Sequence, residues 1–509
     1  MRIGIITILI LACAFIQLNA QALIETATQS GKVKGSWNAD RSVISFKGIP
    51  FAAPPVGDLR WKEPQPVKPW SGVLTCTKFS ASPYQSKPAP FAMWTEEFIA
   101  PPEPLSEDCL YLNVWTPAKS SKEKLPVLVW IYGGGFVSGS SACAVYDGEA
   151  MAKEGIVFVS INYRVGVFGF FSHPDLTKES GKNASGNYAL LDQLAALRWI
   201  KDNISMFGGD PAKVTIAGQS AGSFSVQALV ASPLSKGLFR GAIAQSGASM
   251  NRFNKNLKSA EATGITLSQK LNSTGVAALR KLPADSLFTL ASTLPFGSFA
   301  PIIDGYVLPD AIGTIFKNKK HNDVNLLAGW VTGDAALTGQ PKNAEQFKAW
   351  ATETYKSKAP EFLKVFPATT DEVATHSQNK LGNLTFAGYA NHVWALSNSN
   401  NSYLYQFSYV PTDKPNFPNY GAFHTSEVPF ALNTLSKWKR PWKDSDYAVE
   451  AAMSSYWINF VKTGNPNGKD LPEWKKYDAV TNSIMNIDTK PQMKPAMFKP
   501  EFQFLESVD

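Results

Sequence analysis

The stretch VTIAGQSAGSF, Val214 to Phe224, sets an apolar strand pattern directly before a glycine-flanked serine and a helical pattern directly after it. Val214 to Ala217 (VTIA) is a short β-branched run of the kind buried on both faces of a parallel sheet, and residues from about Phe224 to Ala231 read as a helix. Between them Gly218, Gln219, Ser220, Ala221 and Gly222 form a G-x-S-x-G turn. So tight a turn makes side chains two before and two after the serine collide, which is why both positions are Gly. The elbow lifts the Ser220 hydroxyl off the sheet and aims a helix N-terminus at any negative charge developing beside it. A turn serine without chemistry is the plain alternative, but chance rarely sets the motif between such a strand and such a helix.

Working outward, Val127 to Tyr132 (VLVWIY), Ile156 to Tyr163 (IVFVSINY), Ala242 to Ala244 and Asn325 to Ala328 are further runs of the buried-strand type. Leu190, Leu194, Leu197, Ile200 and Ile204 recur at spacings of three and four, the stripe of an amphipathic helix. From about residue 108 onward this alternation predicts an α/β chain, a large and mostly parallel central sheet with crossover helices. The N-terminal hundred residues, punctuated by Gly and Pro, read as short antiparallel strands and loops forming a small edge sheet and a lid. No Ser/Gly-rich linker divides the 509 residues, so residues 23–509 read as one domain.

A second glycine signal follows the strand VLVWIY. Gly133, Gly134 and Gly135 lie between Tyr132 and Phe136, and three glycines in a row leave backbone N–H donors uncovered. Such donors suit an oxyanion formed during acyl transfer. Alone the run would be a flexible turn; with the serine elbow it supplies the half of the chemistry that a nucleophile lacks.

Composition excludes several classes. A chain that is 44% hydrophobic and 18% charged is not disordered, and 14 Trp, 31 Phe and 16 Tyr suit a deep pocket. The net charge of +8 arises from 49 basic and 41 acidic residues, too small an excess to imply nucleic acid binding. Lys437 to Lys443 (KWKRPWK) interleaves cations with aromatics as a single-strand binder does, but its plain reading is a solvated loop with Trp438 and Trp442 packed inward. His173, His321, His376, His392 and His424 never recur at helical ligand spacing and no cysteine pair has finger spacing, so neither a metal nor another cofactor is expected.

At the N-terminus Arg2, the apolar run Ile3 to Ile16 and the small-x-small site Ala20, Gln21, Ala22 read as a cleaved secretory signal over residues 1–22. That predicts a secreted or periplasmic protein without stable membrane insertion, since the run is short for a span. Cys13 is a poor lipid-attachment site because apolar Ala14, Phe15 and Ile16 follow it. Cleavage leaves Cys76, Cys109 and Cys143 in an oxidising compartment, where one bridge and one free thiol are possible. Cys76 to Cys109 is the preferred pairing, closing a Pro- and aromatic-rich loop for about 3–4 kcal/mol on the chain-entropy account.

Taken together, FKGIPFAAPPVGDLRW (Phe46 to Trp61), SEDCLYLNVWTP (Ser106 to Pro117), WIYGGGF (Trp130 to Phe136), NYRVGVFGF (Asn162 to Phe170), GNYALLDQLAALRWIKDNISMFGGDP (Gly186 to Pro211), TIAGQSAG (Thr215 to Gly222) and YWINFVKTGNPNG (Tyr456 to Gly468) resemble, in order, the type B carboxylesterase and cholinesterase family. The resemblance spans nearly the whole mature chain and is closest in kind to a secreted bacterial carboxylesterase. It implies an α/β-hydrolase fold and a serine hydrolase that cleaves small-molecule carboxylic esters through an acyl-enzyme, as a monomer or weak homo-oligomer and without a cofactor.

Carried over by position, the resemblance makes Ser220 the nucleophile and the N–H groups of Gly134, Gly135 and Ala221 the oxyanion donors. The family histidine falls on His424 in GAFHTSEVPF, between Gly421 and Glu427. The acid falls on Asp334, where the family has glutamate in G-x-x-x-x-E-G and this chain runs from Gly329 to Asp334 and Ala335. Aspartate retracts the carboxylate by about 1.5 Å, one C–C bond, and Ala335 stands where the family has glycine. Asp304 and Asp323 are the rival acids. Arg60 with Glu107 and Arg164 with Asp192 match the family's structural ion pairs, whereas its first cysteine lies nearer the position of Pro83. Two other readings keep the fold: a binding or adhesion protein without catalysis, and an acyltransferase or amidase on the same residues. Loops around residues 86–104, 290–300 and 330–340 are expected to wall the pocket.

Overall fold

Strands without a polar face must be covered on both sides, and Val157–Ile161 and Gly241–Gln245 are buried at every position. In the computed structural model, which describes residues 23–272, 275–337 and 342–509, these runs lie in the middle of an eleven-stranded sheet. The predicted signal over residues 1–22, with Cys13, lies outside the described residues. In chain order the strands of this sheet are β1 (Ser36–Trp37), β2 (Ile44–Pro50), β3 (Tyr111–Thr116), β4 (Leu125–Ile131), β5 (Val157–Ile161), β6 (Gly209–Gln219), β7 (Gly241–Gln245), β8 (Asn325–Val331), β9 (Ser402–Phe407), β10 (Ile484–Ile487) and β11 (Gln492–Lys494). Across the sheet they run β1-β2-β3-β5-β4-β6-β7-β8-β9-β10-β11. The pairings from β5 through β10 are parallel, and antiparallel pairs close both edges.

Helices fill the crossovers. The stripe Leu190, Leu194, Leu197, Ile200 and Ile204 is fully buried; its first four residues lie on α1 (Tyr188–Asn203) and Ile204 on the 3-10 turn that continues it. The serine elbow is followed by α2 (Ala221–Ala231), buried along its whole length because it packs against both β6 and β7. A third helix, α3 (Asp444–Thr463), packs on β4 and β6, and its Trp457 Nε1 donates to Gln245 Oε1 at 3.1 Å. Among the described residues no helix is long and apolar enough to cross a membrane.

The N-terminal edge sheet is present but mixed. Glu25–Thr28 pairs antiparallel with Gly31–Lys34, which pairs parallel with Val73–Thr75. The expected all-antiparallel arrangement fails because the intervening chain first gives β1 and β2 to the central sheet and returns as a crossover, which delivers a parallel strand. The two expected ion pairs form, Arg60 to Glu107 at 2.5 Å, largely buried, and Arg164 to Asp192 at 2.6 Å, fully buried. Arg60 also donates to the carbonyls of Leu279 and Leu282 and so ties the 276–281 helix end to the N-terminal region. In KWKRPWK the rings pack inward: Trp438 is buried, Trp442 stacks edge-on against it at 4.9 Å, and Arg440 lies 4.8 Å over Trp438 beside Asp413.

The Cys76–Cys109 bridge does not form; Cys76, Cys109 and Cys143 are all free and buried. Backbone pairing separates the two expected partners. Lys47 N–H donates to the Cys76 carbonyl, while Phe51 N–H donates to Leu110 O, the residue after Cys109. Their anchor points on β2 and its extension are four residues apart and Cys109 lies one residue further still, so the separation is at least roughly 13 Å at the rise of a strand, beyond the reach of a disulfide. Burial pushes the Cys76 and Cys143 thiols up to about 12 and Cys109 well above the usual thiol range, so none is a thiolate nucleophile near neutral pH.

Candidate active site

Parallel strands in an open sheet end on one side, and loops leaving those ends converge there. The register keeps the ends level: Gly218 lies opposite Ile131, Gln219 opposite Gln245, and Gln245 opposite Gly329. The glycine run leaves β4, Ser220 leaves β6, Asp334 leaves β8, and His424 lies in the long connection after β9.

At the elbow Ser220 takes φ 56° and ψ −124°, a conformation costing about 1–3 kcal/mol that only dense surroundings can hold. Those surroundings explain the flanking glycines. A Cβ on Gly222 would lie 2.0 Å from the Ile131 carbonyl oxygen, and one on Gly218 would lie 2.5 Å from the Gly222 backbone. Ser220 N–H donates to Gln245 O at 2.9 Å, and Phe224 N–H donates to Ser220 O at 2.9 Å as α2 begins.

The second glycine signal lies against this elbow, since a Cβ on Gly133 would be 2.9 Å from Ser220 Cβ. Gly134 and Gly135 have φ of 114° and 63°, in the region that glycine alone enters freely. Among the described residues the N–H groups of Gly134 and Gly135 are donated to no protein acceptor, although the Gly134 carbonyl receives both Val137 and Ser138 N–H at 3.1 Å. Ala221 opens α2, and a helix of this kind leaves its first N–H without an internal partner. All three donors line the same cavity as Ser220 and His424, a cleft of about 1050 Å³.

Asp334 Oδ1 accepts from His424 Nδ1 at 2.6 Å, with the carboxylate fully buried and the imidazole nearly so. Val331 N–H donates to the other carboxylate oxygen at 3.2 Å. The shorter acid reaches because its loop is fastened directly to the histidine's loop: Gly333 N–H donates to Ala422 O at 2.9 Å, and a Cβ on Gly333 would lie 2.4 Å from that oxygen. Asn383 secures the same loop from outside, accepting Ala335 N–H at 2.6 Å and donating to Thr332 O at 2.8 Å. The rival acids are spent elsewhere. Asp304 caps a turn by accepting Tyr306 and Leu308 N–H, and Asp323 accepts Ser399 and Asn400 N–H.

Four neighbours of this site were given no role in the sequence. Gln219 lies 3.1 Å from His424 Nε2 through its side-chain amide, so a residue that is only a spacer in G-x-S-x-G touches the ring nitrogen facing the pocket. Trp94 and Phe386 present ring edges to His424 at 6.5 and 5.4 Å, and Trp94 Nε1 donates to Thr425 Oγ1 at 3.0 Å. Glu427 is the fourth: burial and then the nearby Asp334 charge push its carboxyl up to about 8, so it stays protonated at neutral pH and adds no second charge behind Asp334. Its place three residues after His424 was the only signal in the sequence.

The expected pocket loops are found nearby: residues between Gln85 and Ala100, Phe296 to Ile302, and Leu337 contribute to the walls. Among the described residues no group of three His, Cys, Asp or Glu side chains could hold a metal ion.

Comparison with known proteins adds to this geometry. A model of the carboxylesterase family matches residues 20–505. The chain is 34% identical to fumonisin B1 esterase of Sphingopyxis macrogoltabida over 89% of its own length and 84% of that protein. It is 32% identical to the cocaine esterase of Homo sapiens, covering 94% of this chain and 90% of that one. Among solved structures, a PNB esterase superposes with a TM-score of 0.82 at 30% identity, across 95% of this chain and 99% of the other.

Proposed function

The chain belongs to the carboxylesterase family and is a serine hydrolase of carboxylic esters with the α/β-hydrolase fold, and from that premise we propose that Ser220, His424 and Asp334 carry the reaction while Gly134, Gly135 and Ala221 hold the oxyanion. His424 Nε2 takes the Ser220 proton as the oxygen attacks the ester carbonyl, and Asp334 keeps the imidazole in the needed tautomer and stabilises the imidazolium. The three N–H groups receive the oxyanion, His424 protonates the departing alcohol, and water repeats the sequence on the acyl-enzyme to release the acid.

The observation that carries this reading is the 2.6 Å His424–Asp334 pair, whose imidazole lines one cavity with a strained serine and unspent N–H donors. Binding without catalysis would leave that strain without use. We further read residues 1–22 as a cleaved signal, which makes the enzyme secreted or periplasmic, and residues 23–509 as its single catalytic domain. Ser220→Ala tests the assignment: hydrolysis of 4-nitrophenyl butyrate should fall by roughly six orders of magnitude while circular dichroism stays that of the wild type. More than a few per cent of residual activity in pure mutant would rule Ser220 out.

A further inference from the structure

The cleft around Ser220 is walled mainly by aromatic and small side chains, but its charged residues are all of one sign. Among the described residues Lys87, Arg252 and Lys255 line it, and no Asp or Glu does. Lys87 has a carboxylate partner at the rim, Glu103 at 3.7 Å. The other two cations have none: among the described residues no carboxylate lies within ion-pair distance of Arg252 or Lys255.

Arg252 is exposed, whereas the arginines held within the fold are paired. Arg60, Arg164, Arg280 and Arg440 each face a carboxylate, and Arg240 donates to the carbonyls of Val461 and Lys462. Arg252 instead lays its guanidinium over two aromatic faces, Phe224 at 5.0 Å and Phe386 at 5.4 Å. Desolvation holds it below the usual guanidinium range with no acid to restore it. Lys255 donates to a neutral hydroxyl, Thr263 Oγ1 at 2.8 Å, and desolvation lowers it as well. Its backbone is fixed against the cavity wall, since its carbonyl accepts Ile303 N–H at 2.9 Å and Asn256 bridges to Ile303.

A cation at the cleft without a carboxylate partner stays available to an anion, and a guanidinium on an aromatic platform retains its fork of donors for a planar one. The position is catalytically relevant. Phe224 lies one turn along α2 from Ser220, and Phe386 meets His424 edge-on at 5.4 Å, so the guanidinium rests on the two rings that flank the reacting groups. We infer that the enzyme's substrate is an ester bearing a free carboxylate, which Arg252 and Lys255 bind while Ser220 attacks the ester carbonyl a short chain away. The inference rests on the Ser220 reading and gives it a substrate class. An ester with a cationic group would find no carboxylate in the walls and three positive charges facing it.

The test uses the full-length enzyme and three probes: mono-4-nitrophenyl adipate carries the carboxylate on the acyl half, 4-(hexanoyloxy)benzoate carries it on the leaving half, and 4-nitrophenyl hexanoate is neutral. The quantity read is kcat/KM for each charged ester relative to the neutral one, in wild type, Arg252→Gln and Lys255→Gln. In one charged arm, which identifies the half that bears the carboxylate, the ratio should fall about tenfold or more in Arg252→Gln and less in Lys255→Gln, and salt should reduce it in the wild type. Ratios unmoved by both substitutions in both arms would overturn the inference. Failure of the wild type to cleave any of the three esters would instead overturn the Ser220 reading, and this one with it.

Discussion

At the Ser220 elbow backbone atoms approach so closely that a single added Cβ would meet the Ile131 carbonyl at 2.0 Å, and no side-chain hydrogen bond is needed to set the angle. At Asp334 and His424 two loops from different strand ends meet, fastened by Gly333 N–H to Ala422 O and by the two Asn383 contacts. One half of the site is positioned by excluded volume within a local stretch of chain. The other is positioned by hydrogen bonds between segments about ninety residues apart in sequence. Excluded volume leaves a mark in the sequence as obligatory glycines; hydrogen bonds between loops leave almost none.

The comparison can be broken most severely at the acid. Asp334→Asn should keep the fold and cost about four orders of magnitude in turnover, because an amide favours the wrong imidazole tautomer and gives no charge to the imidazolium. Near-wild-type turnover would mean that another carboxylate serves His424. Asp334→Glu sharpens the point: the Gly333–Ala422 contact holds the loop close enough for aspartate, so an extra methylene should push the carboxylate past Nδ1 and lower activity. Equal or higher activity would show that the loop has slack.

Gly333→Ala attacks the fastening itself. The new Cβ would press on Ala422 O and Phe423 Cα and part the two loops, and a displacement of about 1 Å at reacting groups costs about a hundredfold in kcat. Steady-state kinetics on protein whose melting remains cooperative would measure this. An unchanged kcat would show that the contact does not position the acid.

These contrasts account for what could be read in the sequence. The elbow, the glycine run, the parallel core strands and the α1 stripe were legible because each is a local steric or periodic demand. Asp334 could be named only through the family resemblance, since Asp304 and Asp323 are equally plausible by residue type and only their backbone partners exclude them. Gln219 at His424 was invisible, being one of the free positions in the motif. The disulfide expectation failed because cysteine spacing carries no information on where β2 holds each cysteine. The charge of the cleft was equally hidden, for Arg252 and Lys255 are two cations among 49 until the fold shows that no acid joins them.

The smallest effect concerns Glu427, which belongs to the hydrogen-bonded half. Its carboxyl is raised from an ordinary 4.5 to about 8 in the folded state, so the protonated fold is favoured at low pH and that contribution is lost as pH rises from about 4.5 through 8. Glu427→Gln keeps the shape without the ionisation. Thermal melts should show the variant gaining on wild type by about 2–4 °C between pH 5 and pH 9. A constant difference across that range would contradict a proton held by Glu427.

The most direct test of the central claim is covalent. A labelled fluorophosphonate should react once per chain, and peptide mapping should find the added mass on Ser220 in wild type, with labelling strongly slowed in His424→Ala and Asp334→Asn because the hydroxyl is then not activated. Label on any other residue, or equal labelling rates in wild type and both variants, would contradict the assignment of Ser220, His424 and Asp334 as one catalytic unit.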